Sequence, residues 1–182
     1  HYYFRNEIHT NMGSDIYYGV EDLGISYSSV YKNWSSDEDF MNSVLNILDG
    51  VDKDKNFMSW LTTVSSHQPY SYSSIEGDKY LSLYEDMDIK MDLKRYKSKL
   101  KILDNGLGIL VNGLEEKGIL DDTVIVMFGD HYPYGLSTDT INSVLDYDTN
   151  IDYEAERVPF VIYNTSLKPK VIRDLQRFTL DH

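Results

Sequence analysis

A chain of 182 residues with 41% hydrophobic and 26% charged side chains has the make-up of one folded domain; neither a disordered nor a collagen-like chain fits those proportions. Thirty acidic residues against 17 basic ones leave a net charge of −13, which argues against nucleic acid as a partner and against a surface that holds anionic lipid through massed Lys and Arg. With no cysteine in the chain there are no disulfides, thiolate metal sites or Cys nucleophile, and both the cytosol and a disulfide-poor bacterial exterior stay open.

No run approaches the roughly 18 apolar residues of a membrane span. The opening His1-Tyr2-Tyr3-Phe4-Arg5 lacks an initiating Met and a signal-peptide layout, so the chain reads as cut from a longer protein. The first third scatters Tyr17, Tyr18, Tyr27, Tyr31 and Trp34 among Ser and Asn and is expected to form long loops. A helix is then predicted, with Ser36 as N-cap and Asp37, Glu38 and Asp39 in its first turn, where their charge meets the positive end of the helix dipole. Phe40, Val44, Ile47 and Leu48 recur at helical spacing, and Gly50 is expected to give a left-handed stop.

Residues 56–64 (NFMSWLTTV) are short and apolar, with β-branched residues toward the end. They predict a buried strand that finishes at Ser65-Ser66-His67. From about Tyr96, the residues Leu100, Leu103, Leu107, Leu110, Val111 and Leu114 predict a long helix closed at Gly118. Gly106, Gly108 and Gly113 weaken its intrinsic propensity, which points to close packing against a neighbour. Residues 123–128 (TVIVMF) predict a second buried strand, ended by Gly129-Asp130-His131. Residues 158–163 (VPFVIY) predict a third. Strands that alternate with helices and read as continuous apolar runs imply an α/β fold with a mostly parallel sheet flanked by helices.

Ligands of open α/β sheets gather beyond the carboxyl ends of the strands. Asp130 and His131 fall there, and a carboxylate beside a neutral imidazole suits a divalent cation such as Mn²⁺ or Zn²⁺; as a lone pair the two also read as structural. His67 has the same location on another strand. It reads either as a strand-end cap bonded to backbone or as a donor to a phosphate or sulfate oxygen. Arg5, among Tyr2, Tyr3 and Phe4, reads as an exposed terminal arginine or as a forked cation for a phosphate that carries a polyol. The acidic stretch 146–154 fails as a calcium loop: Ile151 stands where an EF-hand needs Gly, and Arg157 where it needs the bidentate Glu. Neither a Gly-x-Ser-x-Gly elbow nor a Walker-type phosphate loop is present.

Three segments, "TTVSSHQPY" (62–70), "LDNGLGILVNGLEEKGILDDTVIVMFGDHYPYGL" (103–136) and "VPFVIYN" (158–164), resemble in order and spacing the extracellular sulfatase-like domain of lipoteichoic acid synthases and related phosphoglycerol transferases. The opening "YYFRNEIHTNMGSDIYYGVEDLG" (2–24) is similar to the family's aromatic-rich Arg segment. The resemblance implies an alkaline-phosphatase-superfamily fold. It also implies transfer of glycerol phosphate from a phosphatidylglycerol-type lipid to a glycerol-phosphate polymer or glycolipid acceptor, through a metal-assisted phosphothreonine intermediate. By that resemblance Asp130 and His131 match the metal ligands, the metal being Mn with Mg or Zn as alternatives. His67 matches a histidine that contacts phosphate, and Arg5, with Tyr3 as its aromatic neighbour, matches a substrate-binding arginine.

The family's nucleophilic Thr and metal-binding Glu lie upstream of the Arg segment, so residues 1–182 are expected to be part of one sulfatase-like domain whose nucleophile-bearing portion is absent. None of Thr62, Thr63 and Thr123 sits in the strand-to-helix setting of that nucleophile, and the chain alone is expected to be inactive. The implied protein is anchored by N-terminal membrane helices and faces outward on a bacterial, Gram-positive membrane. A sulfatase, phosphodiesterase or phosphoethanolamine transferase of the same superfamily is the competing enzyme reading. A non-catalytic envelope-binding module with tyrosine-rich surfaces is the competing non-enzyme reading.

Overall fold

The computed structural model describes residues 4–25, 35–52, 54–149 and 157–169. Their elements in order are α1 (Arg5–Asn11), α2 (Asp37–Leu48), α3 (Ile75–Lys79), a 3₁₀ turn (Leu81–Tyr84), α4 (Met91–Glu116), β1 (Ile125–Phe128), α5 (Thr138–Asn142) and β2 (Phe160–Tyr163). The predicted helices at 37–48 and in the 96–118 region are α2 and α4. Ser36 caps α2 by accepting from Glu38 N. Gly118, at φ 69°, closes α4: Gly118 N donates to Glu115 O and Ile119 N to Leu114 O, the paired bonds of a left-handed glycine cap.

These two helices make the core. Met41, Val44 and Leu48 of α2 bury against Leu110 and Leu114 of α4, and Leu120 joins them from the turn beyond α4. Each such side chain contributes about 1.5–3 kcal/mol when fully removed from water. The glycines of α4 explain the closeness of the packing. A Cβ on Gly106 would stand 2.8 Å from the Asp37 carbonyl oxygen, and one on Gly113 would overlap the Leu45 side chain; a Cβ on Gly108 would meet nothing within 4 Å. Close approach therefore accounts for two of the three glycines. A second cluster, of Tyr70, Leu93 and Leu136 with Ile89, Tyr96 and Ile141 around it, joins the N-terminal half of α4 to the loops before α3 and α5.

Several expectations are corrected. The first third is not all loop, since α1 forms there; none of its residues is buried, so no apolar stripe announces it. Gly50 is not in the left-handed region, where among the described glycines only Gly13, Gly24 and Gly118 fall, and α2 ends on Asp49 with right-handed geometry. Residues 56–64 form no strand. Phe57, Met58 and Trp60 are exposed there, and an extended segment without a paired neighbour has no ladder. A mostly parallel sheet is not found among the described residues either: β1 and β2 form an antiparallel two-stranded sheet with Ile125 opposite Tyr163 and Phe128 opposite Phe160. Nor are the strands buried, because every residue of β2 is exposed and β1 alternates between half-buried and exposed. Apolar content reports what a strand is suited to be covered by, and does not by itself set the direction of its partner. No described helix is long and apolar enough to cross a membrane.

Candidate functional site

His67 lies on an irregular loop whose backbone is held from two sides. On one side stands Asp37, the first residue of α2 and fully buried. Its carboxylate accepts from Val64 N at 2.8 Å and Ser65 N at 3.1 Å, while its own N–H donates to Ser65 Oγ at 2.8 Å. Burial raises the Asp37 carboxyl above its ordinary range, against the lowering pull of these bonds. On the other side, Lys99 of α4 donates from Nζ to the His67 carbonyl at 2.7 Å. The loop also closes on itself, with His67 N donating to Val64 O and Tyr70 Oη to Ser66 O at 2.9 Å. His67 Nδ1 lies 2.7 Å from the Gln68 carbonyl. A carbonyl only accepts, so Nδ1 carries a proton, and Nε2 accepts in the neutral ring and donates in the protonated one.

The cap of α2 is tied into the same region. Glu38 accepts from Tyr80 Oη at 2.6 Å and Asn105 Nδ2 at 2.8 Å and pairs with Lys79. Partial burial pushes its carboxyl up, but these hydrogen bonds and the Lys79 charge outweigh burial and hold it at about 2.

Asp130 and His131 come directly after β1 and Gly129, as expected. The His131 ring is oriented by its backbone: Nδ1 donates to the Tyr132 carbonyl at 2.8 Å, and Nε2 stands 3.7 Å from Asp130 Oδ2. Two ligands at about 2.1 Å from one ion at a tetrahedral angle are roughly 3.4 Å apart, so the pair fits two positions of one coordination shell after a small adjustment. An imidazole whose second nitrogen is fixed by a carbonyl has the usual support of a metal-binding histidine. The Asp130 side chain is 87% exposed and that of His131 38%, and the described residues contain no cluster of three or more candidate ligands.

The two loops adjoin. Gly135 sits so close to the His67 loop that a Cβ there would stand 2.8 Å from Gln68 Oε1 and 2.9 Å from Tyr70 Cε2. Burial holds the proton of the Tyr70 hydroxyl tighter, and the Tyr96 and Tyr134 phenols and the charge of Asp130 add to it. Trp60 meets Phe128 at the end of β1 edge-on, with centroids 5.8 Å apart. Arg5 opens α1 and is half-buried. Tyr3 lies outside the described residues, as does the acidic loop from residue 150 to 156. Sequence reasoning missed Asp37 as a loop anchor and Lys99 altogether. Asp37 had the signature of a first-turn acid on α2, and Lys99 that of one more solvated lysine on α4.

The helical core thus holds the His67 loop beside the loop of the strand-end Asp130-His131 pair. A model of the Sulfatase family matches residues 2–179, and the chain belongs to that family, one of hydrolases and transferases with an alkaline-phosphatase-like α/β fold and metal-dependent members. Similar curated proteins include the Lipoteichoic acid synthase-like YvgJ of Bacillus subtilis, 25% identical over 93% of this chain and 28% of that protein. The Lipoteichoic acid synthase of Staphylococcus saprophyticus is 27% identical over 70% of this chain and 19% of its own length, and that of Staphylococcus aureus 26% over 77% and 20%. The chain thus spans 19% to 28% of the length of these curated relatives. No solved structure matches it.

Proposed function

We propose that this chain is part of a phosphoglycerol transferase that moves glycerol phosphate from a phosphatidylglycerol-type lipid to a glycerol-phosphate polymer or glycolipid acceptor, on the outer face of a Gram-positive cell membrane. The observation that carries the reading is the close approach of Gly135 to Gln68 and Tyr70, which sets the His67 loop beside the loop of Asp130 and His131. Similarity to proteins named as lipoteichoic acid synthases supports the choice of substrate class.

In this reading Asp130, as a carboxylate, and His131 Nε2 hold a divalent cation, most suitably Mn²⁺, with Mg²⁺ or Zn²⁺ as alternatives. Bound there, such a cation supplies charge that offsets the phosphoryl oxygens. The exposure of both side chains leaves room for further ligands. His67, whose Nδ1 is bonded to the Gln68 carbonyl, contacts the substrate through its ring: protonated, it donates to a phosphate oxygen, and neutral, it accepts from a hydroxyl. Arg5 takes the remaining phosphate charge, and Tyr3 is its aromatic companion by the family resemblance alone. We assign the nucleophile to no residue of this chain.

The test is headgroup release by the complete protein. Glycerol phosphate freed from phosphatidylglycerol is expected, with loss of at least about a hundredfold on His67→Ala. Hydrolysis of an aryl sulfate, or release from phosphatidylethanolamine, without attack on phosphatidylglycerol overturns the assignment.

A further inference from the structure

Lys99 is 4% exposed, in the interior half of α4. A lysine on a helix ordinarily extends its ammonium to water, and burying that charge costs several kcal/mol unless a partner compensates. Burial lowers the Lys99 pKa, with the charge of Glu76 opposing. Its one close hydrogen-bond partner among the described contacts is the carbonyl of His67, at 2.7 Å, with the Tyr70 ring 5.9 Å away. An apolar residue at 99 would satisfy the packing of α4 and avoid the cost of the charge. It would not hold that carbonyl.

The carbonyl bears directly on the direction of the imidazole. Lys99 fixes the carbonyl of His67, and the imidazole of His67 is bonded in turn to the next carbonyl, that of Gln68, at 2.7 Å. The direction of the ring therefore depends on the orientation of two successive backbone carbonyls. The front of the loop is fixed independently, by Asp37 on the amides of Val64 and Ser65. A buried anion on the amides and a buried cation on the carbonyl grip the same short loop from two helices, and each meets backbone of the polarity it complements.

We propose that Lys99 is a positioning residue for His67, holding its carbonyl so that the imidazole faces the phosphate site, with Asp37 anchoring the other end of the loop. This deepens the reading of His67 as a phosphate-contacting group and rests on it. Lys99 itself touches no substrate.

The experiment is a double-mutant cycle on the complete protein, with binding of sn-glycerol 1-phosphate measured by calorimetry and folding checked by thermal unfolding. Lys99→Met is expected to weaken binding about tenfold and Lys99→Arg, which retains the donor, to recover most of it. In a His67→Ala background Lys99→Met should change binding by less than about twofold, because residues that act as a unit do not add. If Lys99→Met does not fold, Lys99→Gln replaces it in the cycle, because its side chain ends one bond short of the ammonium that reaches the His67 carbonyl. A folded Lys99→Met that binds as the parent does overturns the proposal, as does a full additional loss on top of His67→Ala. If His67→Ala alone leaves binding unchanged, the phosphate role of His67 falls, and this proposal with it.

Discussion

The α2–α4 pair and the β1–β2 pair treat apolar sequence in opposite ways. Between the helices, Met41, Val44, Leu110 and Leu114 are enclosed, and the buried polar groups meet complements: Asp37 faces two amides and Lys99 a carbonyl. On the strands, Val126, Phe128, Phe160 and Ile162 are exposed, although their run of β-branched and aromatic residues suits a sheet covered on both faces. Among the described residues, the helices enclose their apolar side chains and the strands leave theirs exposed. The candidate site straddles the two. His67 is held by the helical half through buried charges, whereas Asp130 and His131 project from the strand half into the open.

Four substitutions sharpen that contrast. The largest effect is expected for Ile102→Ala in α4, where the side chain is fully buried: a loss of about 3–4 kcal/mol in denaturant unfolding. Gly106→Ala should cost about 2 kcal/mol despite the better helix propensity of alanine, because the new methyl meets the Asp37 backbone at 2.8 Å and one helix must shift. A stabilised Gly106→Ala would show that α2 and α4 are not packed as described.

Glu38→Gln is expected to cost about 1–2 kcal/mol at neutral pH by weakening the bonds to Lys79, Tyr80 and Asn105. The folded carboxyl is held at about 2, below the 4.5 of the free group. Its contribution is therefore present in full above about pH 4.5 and is lost as pH falls toward 2. That part of the acid-unfolding profile should flatten in the variant. Asp37, whose carboxyl burial raises, contributes a slope of opposite sign just above its ordinary pKa, and that slope should persist. The smallest effect is expected for Ile162→Ala on β2, 52% exposed, at about 0.5 kcal/mol or less. The same chemical change as at Ile102 would then differ severalfold by region; equal costs would erase the comparison.

Legibility in the sequence divides along the same line. The helix α2 was legible from its Ser36 cap and its helical apolar period, and α4 from its apolar period and the closing Gly118, and Gly106 and Gly113 signalled the contact they make. The strand ends were legible too, which is why Asp130 and His131 were placed after β1 correctly. Strand pairing was not, since direction and register are decided by a partner some 35 residues away whose own sequence looks the same either way. The anchors of His67 were hidden for a similar reason. Asp37 bonds to residues 27 and 28 positions ahead and Lys99 to one 32 positions back, and neither interaction leaves a local pattern. Even residue 67 itself was placed for the wrong structural reason: the strand expected before it is absent, and buried side chains from two helices do the positioning.

The central claim is that these two unlike regions meet in one site, with the exposed pair holding a cation and the clamped histidine holding phosphate. Metal content of the complete protein, purified with saturating Mn²⁺ and desalted, tests it most directly. Asp130→Ala and His131→Ala are each expected to lose the bound ion while staying folded, and His67→Ala to retain it with weakened binding of sn-glycerol 1-phosphate. Normal metal content in both Asp130→Ala and His131→Ala would contradict the account.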